Sequence, residues 1–161
     1  MVALHTDAFV APCFSAPVVE LLTERQVLQH PALTALGPDA SAVGFDPTEV
    51  LARLRRHGDE PIGVVLLNQR VLAGVGNVFK SELLFRARVS PFARVKELSP
   101  QAQEALVLDS QRMLAQNSGR SARRTMPGMD ERERLWVYGR SGEACRVCGE
   151  PIRMRRQGLE G

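Results

Sequence analysis

Two short stretches of this sequence combine residue types and spacings that can do chemistry. Gly74-Val75-Gly76-Asn77 lies where a turn passes into a helical pattern. Glycines there accept left-handed backbone and let a ligand approach closely. The start of the following helix offers unpaired N–H groups and the positive end of a dipole. Together these make an anion site, and phosphate is the obvious anion. Asn77 adds an amide donor, and Lys80, one helical turn on, can face the same ligand. A plain Gly turn with Asn77 as N-cap fits the same four residues. The pattern departs from GxGxxG and no strand leads into it, which argues against a dinucleotide fold. The second stretch is Cys145-Arg-Val-Cys148, a CxxC. This is the spacing of half a tetrahedral metal site or of a dithiol redox centre. It sits in an Arg- and Gly-rich context and not at a helix start inside a βαβ unit, which argues against the redox reading.

Single residues are less telling. Arg140 follows a Gly in the block leading to the CxxC and is a candidate phosphate contact or a solvated charge. Cys13 stands alone among apolar residues and reads as a buried spectator. His5, His30 and His57 have no metal-ligand spacing and read as surface or turn histidines. Trp136 reads as packing between linker and CxxC block.

The elements that must position these groups follow from local signals. Residues 2–5 and 9–14 flank the turn Thr6-Asp7-Ala8, and Pro12 marks an edge strand. Thr23 with Gln26 resembles a capping box, and Pro31 ends that short helix. Asp46-Pro47-Thr48-Glu49 is a helix start, with Gly58 as its terminator. Pro61 opens a helix through Leu67, and another apolar helix runs from Val78 to about Ala87. Ser99-Pro100 begins the last, with Ala102, Leu106, Val107, Met113 and Leu114 on one stripe. Leu51, Leu54, Val65, Leu66, Leu83, Leu84, Leu106 and Leu114 are the expected core. Residues 118–134 read as a polar linker.

The chain has 161 residues, 44% hydrophobic and 24% charged, enough for an ordinary core. No apolar run is long enough to span a membrane, and the N-terminal residues lack a signal-peptide pattern. The expected compartment is the cytoplasm. Net charge is +3, but residues 1–60 carry 4 basic and 8 acidic side chains, whereas residues 118–161 carry 10 and 6. All but two of the 21 basic residues are Arg, which forks onto phosphate. The gradient fits nucleic-acid binding or a solvated surface. Arg120, Arg123 and Arg124 are expected to add salt dependence.

The longer string Leu66-Leu-Asn-Gln-Arg-Val-Leu-Ala-Gly-Val-Gly-Asn-Val-Phe-Lys-Ser-Glu-Leu-Leu-Phe-Arg-Ala-Arg-Val-Ser-Pro91 resembles the helix–two-turn–helix segment of the formamidopyrimidine-DNA glycosylase and endonuclease VIII family. Trp136-Val-Tyr-Gly-Arg-Ser-Gly-Glu-Ala-Cys145-Arg-Val-Cys148-Gly-Glu-Pro-Ile152 is similar to the first half of that family's zinc finger. The stretch 13–22 is similar to the end of its N-terminal sandwich domain. Arg-Arg-Gln-Gly at 155–158 leans toward the endonuclease VIII-like branch.

The resemblance implies a mostly α chain in four parts. These are a β remnant of the sandwich at 1–22, the helix–two-turn–helix DNA-binding domain at 23–117, a linker at 118–134 and an incomplete zinc-finger hairpin at 135–161. It implies base-excision repair: the damaged base is flipped out, its glycosidic bond cut and the strand cleaved by elimination. The implied partner is duplex DNA carrying a damaged base or an abasic site, bound by a monomer. The resemblance assigns phosphate binding to Asn77, within the turn that contains Gly76; Lys80 and Arg140 are candidate contacts by their positions alone, and each fits a solvated surface charge equally well. It assigns zinc to Cys145 and Cys148, two of four ligands.

The family's catalytic Pro-Glu start and hairpin lysine have no counterpart here: Met1 is followed by Val2 and Ala3. The chain therefore reads as a family member cut at both ends, expected to be inactive alone as a glycosylase or lyase. A non-catalytic nucleic-acid-binding module and a CxxC thiol redox protein are the alternatives.

Overall fold

The structure, a computed structural model, describes residues 1–119, 122–128 and 133–157. Arg120 and Gly158, both named above, lie outside the described residues, as do parts of the 118–134 and 135–161 segments. The described residues are mostly helical with one small sheet, and they form two compact units, Met1–Thr34 and Ala35–Gly161.

In the first unit, β1 (Val2–His5) and β2 (Val10–Cys13) pair antiparallel, with Val2 opposite Cys13 and His5 opposite Val10. Thr6 closes the turn: its N–H donates to the Phe9 carbonyl, and its hydroxyl accepts the Phe9 N–H at 3.0 Å. Every residue of β2 is exposed, and so is Cys13, contrary to its reading as a buried spectator. A two-stranded ribbon offers no second layer within its unit to cover one face. The helix α1 (Glu24–Gln29) starts in the expected capping box of Thr23 and Gln26. Pro31 ends it and opens one further turn, α2 (Pro31–Thr34).

The second unit begins its helices at local caps. For α3 (Pro47–Arg56), the Asp46 carboxylate accepts the Thr48 N–H at 2.8 Å, and Pro47 occupies the first position. It ends at His57, one residue before the expected Gly58. A short α4 (Ile62–Val65) precedes two turns and α5 (Asn77–Arg86). A 3-10 turn, Val95–Glu97, leads into α6 (Pro100–Asn117), where the Ser99 hydroxyl accepts the Ala102 N–H.

The core forms where α6 packs on α3 and α5. Leu54, Leu66, Leu83, Leu106 and Met113 are its largest buried side chains, joined by Ile62, Leu72 and Val75. Burial of each such side chain favours folding by about 1.5–3 kcal/mol. All the expected core residues join it except Leu51, which is only partly buried at its edge. Gln103 is buried but satisfied: its amide donates to the carbonyls of Val95 and Leu98, and its oxygen accepts from Arg55.

Candidate nucleic-acid interface

The two turns between α4 and α5 are held by side chains as well as backbone. The Val71 and Leu72 N–H groups return to the Asn68 carbonyl, and the Asn68 side chain accepts the Arg70 N–H at 3.0 Å. Gln69 spans the second turn. Its oxygen accepts the Gly74 N–H at 2.9 Å, and its amide donates to the Val75 carbonyl at 2.8 Å. Gly74 has φ +96°, the left-handed region that favours glycine. Gly76 is different: its backbone is extended, and a Cβ there would meet nothing within 4 Å. The open side of Gly76 is available for close approach by a ligand.

Gly76, and not Asn77, is the N-cap of α5, and no side chain caps the helix. Asn77 is the first helical residue. Its side-chain amide is exposed and has no hydrogen-bond partner among the described residues, which disfavours the plain N-cap reading. The uncapped N–H groups, the open Gly76 and the unpaired Asn77 amide are groups that could receive an anion.

The start of α5 opens onto a groove of about 1130 Å³. Asn77, Lys80 and Ser81 line one wall, Val137, Tyr138 and Gly139 another, and residues 153–157 a third. Lys80 is half-buried and unpaired, and burial pushes its ammonium pKa down. Arg153 and Arg156 are exposed without partners among the described residues, while Arg155 stacks on Phe92 with its guanidinium 4.6 Å from the ring centre. The groove is lined by cations, and no acidic side chain faces it among the described residues.

The wall at 136–139 is fixed to α5 by a residue absent from the sequence reading. Glu82 is fully buried. Its Oε2 accepts the Trp136 N–H at 2.8 Å and the Thr125 hydroxyl; its Oε1 accepts the N–H groups of Val137 and Tyr138, both at 2.8 Å. Trp136 packs on Phe85 of α5, with ring centres 5.9 Å apart, and not between linker and CxxC block. The preceding segment is also held. The Asn117 side chain bonds the backbone N–H and carbonyl of Arg124, and the Thr125 and Met126 N–H groups donate to the Arg134 carbonyl.

The structure uses Arg140 internally. Its guanidinium donates to the Trp136 carbonyl at 2.5 Å, the Ala144 carbonyl at 2.9 Å and the Glu143 carboxylate at 2.9 Å, and its side chain is only 12% exposed. It pins the approach to Cys145. There the chain reverses: the Cys145 N–H donates to the Glu150 carbonyl, the Gly149 N–H donates back to Cys145, and Ala144 bridges Pro151. The N–H groups of Cys148 and Val147 point at the Cys145 sulfur and lower its thiol pKa; the Val147 nitrogen is 3.4 Å away. A turn that presents backbone donors to sulfur suits a thiolate ligand. No group of three or more His, Cys, Asp or Glu is close enough to hold a metal among the described residues.

Residues 36–124 match the family model of the formamidopyrimidine-DNA glycosylase H2TH domain. The chain belongs to the formamidopyrimidine-DNA glycosylase/endonuclease VIII family. It is 37% identical over 159 residues to the probable endonuclease 8 2 of Streptomyces coelicolor, covering 98% of this chain and 55% of the relative. It is similar to the crystal structure of the MutM (Fpg) protein from Thermus thermophilus at a TM-score of 0.67 and 31% identity, over 80% of this chain and 52% of that one. It is also similar to the complex between the Lactococcus lactis Fpg and DNA containing an abasic site. That match has a TM-score of 0.63 and 26% identity, over 82% of this chain and 51% of the other. The chain thus spans about half the length of the relatives it matches.

In this member of the glycosylase family, Gly76, Asn77 and Lys80 come together at one end of the groove. Cys145 and Cys148 form a separate turn, and Arg140 supports the segment between the two. Of the arginines expected to add salt dependence, Arg123 is exposed, and Arg124 donates to the Gly128 carbonyl at 2.9 Å. The H2TH match starts close to where the second compact unit does. Gln69 and Glu82 carry no signal that a single sequence exposes. Each reads as an ordinary polar residue, although Glu82 on the inner face of an apolar helix is a position where an unpaired charge would be costly.

Proposed function

We propose that this chain is the DNA-binding portion of an endonuclease VIII-like base-excision-repair DNA glycosylase/AP lyase. On this reading it binds duplex DNA carrying a damaged base or an abasic site, as a cytoplasmic monomer. The observation that carries the reading is the uncapped start of α5, with its unpaired Asn77 amide, opening onto a cation-lined groove. Among the described residues no helix is long and apolar enough to cross a membrane. We assign no catalytic residue within this chain.

Gly76 and Asn77 take one phosphate of the DNA backbone, Lys80 adds its charge at the same end, and Arg140 holds the opposite wall in place. Residues 1–22 are the tail of the sandwich domain, 23–117 the DNA-binding domain, 118–134 the connection, and 135–161 the first half of a zinc-finger hairpin. Cys145 and Cys148 supply two thiolates to a structural zinc, with the other ligands coming from outside the described residues. The metal would cross-link the hairpin and take no part in bond cleavage.

Duplex binding measured by fluorescence anisotropy tests the reading. Asn77→Ala weakens binding to a similar degree on unrelated sequences, because a phosphate contact carries no base information. Gly76→Ala folds as the parent does, since its Cβ meets nothing within 4 Å among the described residues, yet it binds less tightly because the methyl group stands where the phosphate approaches. Unchanged affinity in both variants at moderate salt refutes the assignment.

A further inference from the structure

The C-terminal end of α5 carries a feature that the phosphate site at its N-terminus does not explain. The helix closes in a Schellman motif: the Val89 N–H reaches back to the Leu84 carbonyl at 2.9 Å, and the Arg88 N–H to the Phe85 carbonyl at 3.1 Å. Leu84 is buried, and Val89 packs against the same core. The motif places its C′ residue in the left-handed region, where glycine is the usual occupant. Here that residue is Arg88, with φ +55°, the sole non-glycine residue with positive φ among the described residues.

Nothing among the described residues accounts for an arginine there. Its side chain is exposed and makes no hydrogen bond, ion pair or ring contact among the described residues. It lines the same groove as Asn77, as do the unpaired Arg153 and Arg156. Eleven residues of helical rise separate Asn77 from Arg88, about 16 Å. That is too far for the two to hold a single phosphate.

We propose that Arg88 is the centre of a second phosphate subsite, at the far end from Asn77 of the groove that Arg153 and Arg156 also line. The inference rests on the DNA-binding reading and extends it. A continuous nucleic-acid backbone entering at Asn77 leaves the groove across Arg88. Arg88 lines the groove, and a glycine there would give an easier turn without the charge.

Three variants of the full chain separate charge from strain: Arg88→Gly, Arg88→Ala and Arg88→Lys. Each is assayed for its denaturation midpoint and for affinity to a plain duplex at 50 and 200 mM salt. One lost phosphate contact lowers the salt slope by about 0.9, so the ratio of affinities at the two salts falls about 3.5-fold. This is the result expected for Arg88→Gly and Arg88→Ala, with Arg88→Lys keeping the parental slope. Arg88→Gly also unfolds at a higher midpoint than the parent, so weaker binding cannot come from a damaged fold. If the parent binds and Arg88→Gly keeps both its affinity and its slope, the subsite is wrong while the DNA reading stands. Reduced affinity with an unchanged slope also overturns it, because no phosphate contact has been lost. If the parent itself does not bind duplex DNA, the reading beneath the proposal fails, and the subsite with it.

Discussion

Replacing Glu82 with Ala removes the acceptor that joins α5 to the segment 136–138. Four donors lose their partner: the backbone N–H groups of Trp136, Val137 and Tyr138, and the Thr125 hydroxyl. A hydrogen bond to a charged group contributes about 1.5–3 kcal/mol, so four together reach roughly 6–12 kcal/mol. The full sum will not be lost, because the segment can lift away and expose its donors to water. Tyr138 is already 41% exposed. A loss of about 3–5 kcal/mol, the usual cost of breaking one side of a buried charged cluster, is the expected size. Glu82→Gln should be nearly as damaging: it keeps one oxygen and turns an NH₂ toward two donors. Trp136, the only tryptophan, lies on Phe85 and reports the docking directly. In urea, the parent's fluorescence and far-ultraviolet circular dichroism transitions should coincide. In Glu82→Ala the fluorescence change should come first, followed by the helical core. Coincident transitions with a midpoint shift worth less than about 1 kcal/mol would refute the reasoning, since they would mean that the four bonds add little to docking.

Three other outcomes are expected. Gly74→Ala should lower stability by about 1–3 kcal/mol, read from the denaturation midpoint. Its φ of +96° strains any side chain, and its Cβ would come 2.7 Å from Leu114 Cδ2. Asp46→Ala should cost about 1 kcal/mol by the same measurement, through loss of the α3 cap. Lys80 gives a pH signature. Burial depresses its folded pKa, so the ammonium opposes folding at neutral pH, and stability contributed by this group rises as pH climbs through the depressed value toward the ordinary one. DNA affinity should move the opposite way, falling over that window as the charge is lost, while Lys80→Arg stays flat; identical affinity–pH profiles for the two would exclude Lys80 from the contact.

What a single sequence reveals here is local. Thr23 with Gln26, Asp46-Pro47 and Ser99-Pro100 announce their helices because a capping oxygen and the backbone N–H that donates to it lie within three residues of each other. The proposed anion site at Gly76 and Asn77 is legible for the same reason: it is built from one turn and the first residues of one helix. The groove is not legible, because its walls come from segments far apart in sequence. Glu82 illustrates the difficulty: its partners stand up to 56 positions away, and nothing on its own helix shows what it binds. Arg140 offers a charge that fits phosphate, but only the folded turn shows its guanidinium bound to two carbonyls and a carboxylate. Cys13 has apolar neighbours that suggest burial, yet they lie on a two-stranded ribbon that its own unit leaves exposed. Leu51 falls on the apolar stripe of α3 but at the edge of the packed face.

The central claim is that the groove at the start of α5 is where this chain meets DNA. Amide chemical-shift mapping of the 17.7 kDa chain, titrated with a duplex carrying an abasic-site analogue, tests it most directly. The account predicts that the largest shifts fall on Gly76, Asn77, Lys80 and Ser81, with a second set on Tyr138 and Gly139 across the groove, and that all of them diminish at high salt. Shifts centred on another surface, such as the side of α3 that carries Glu49 and Arg53, or no shifts at saturating duplex, would contradict it.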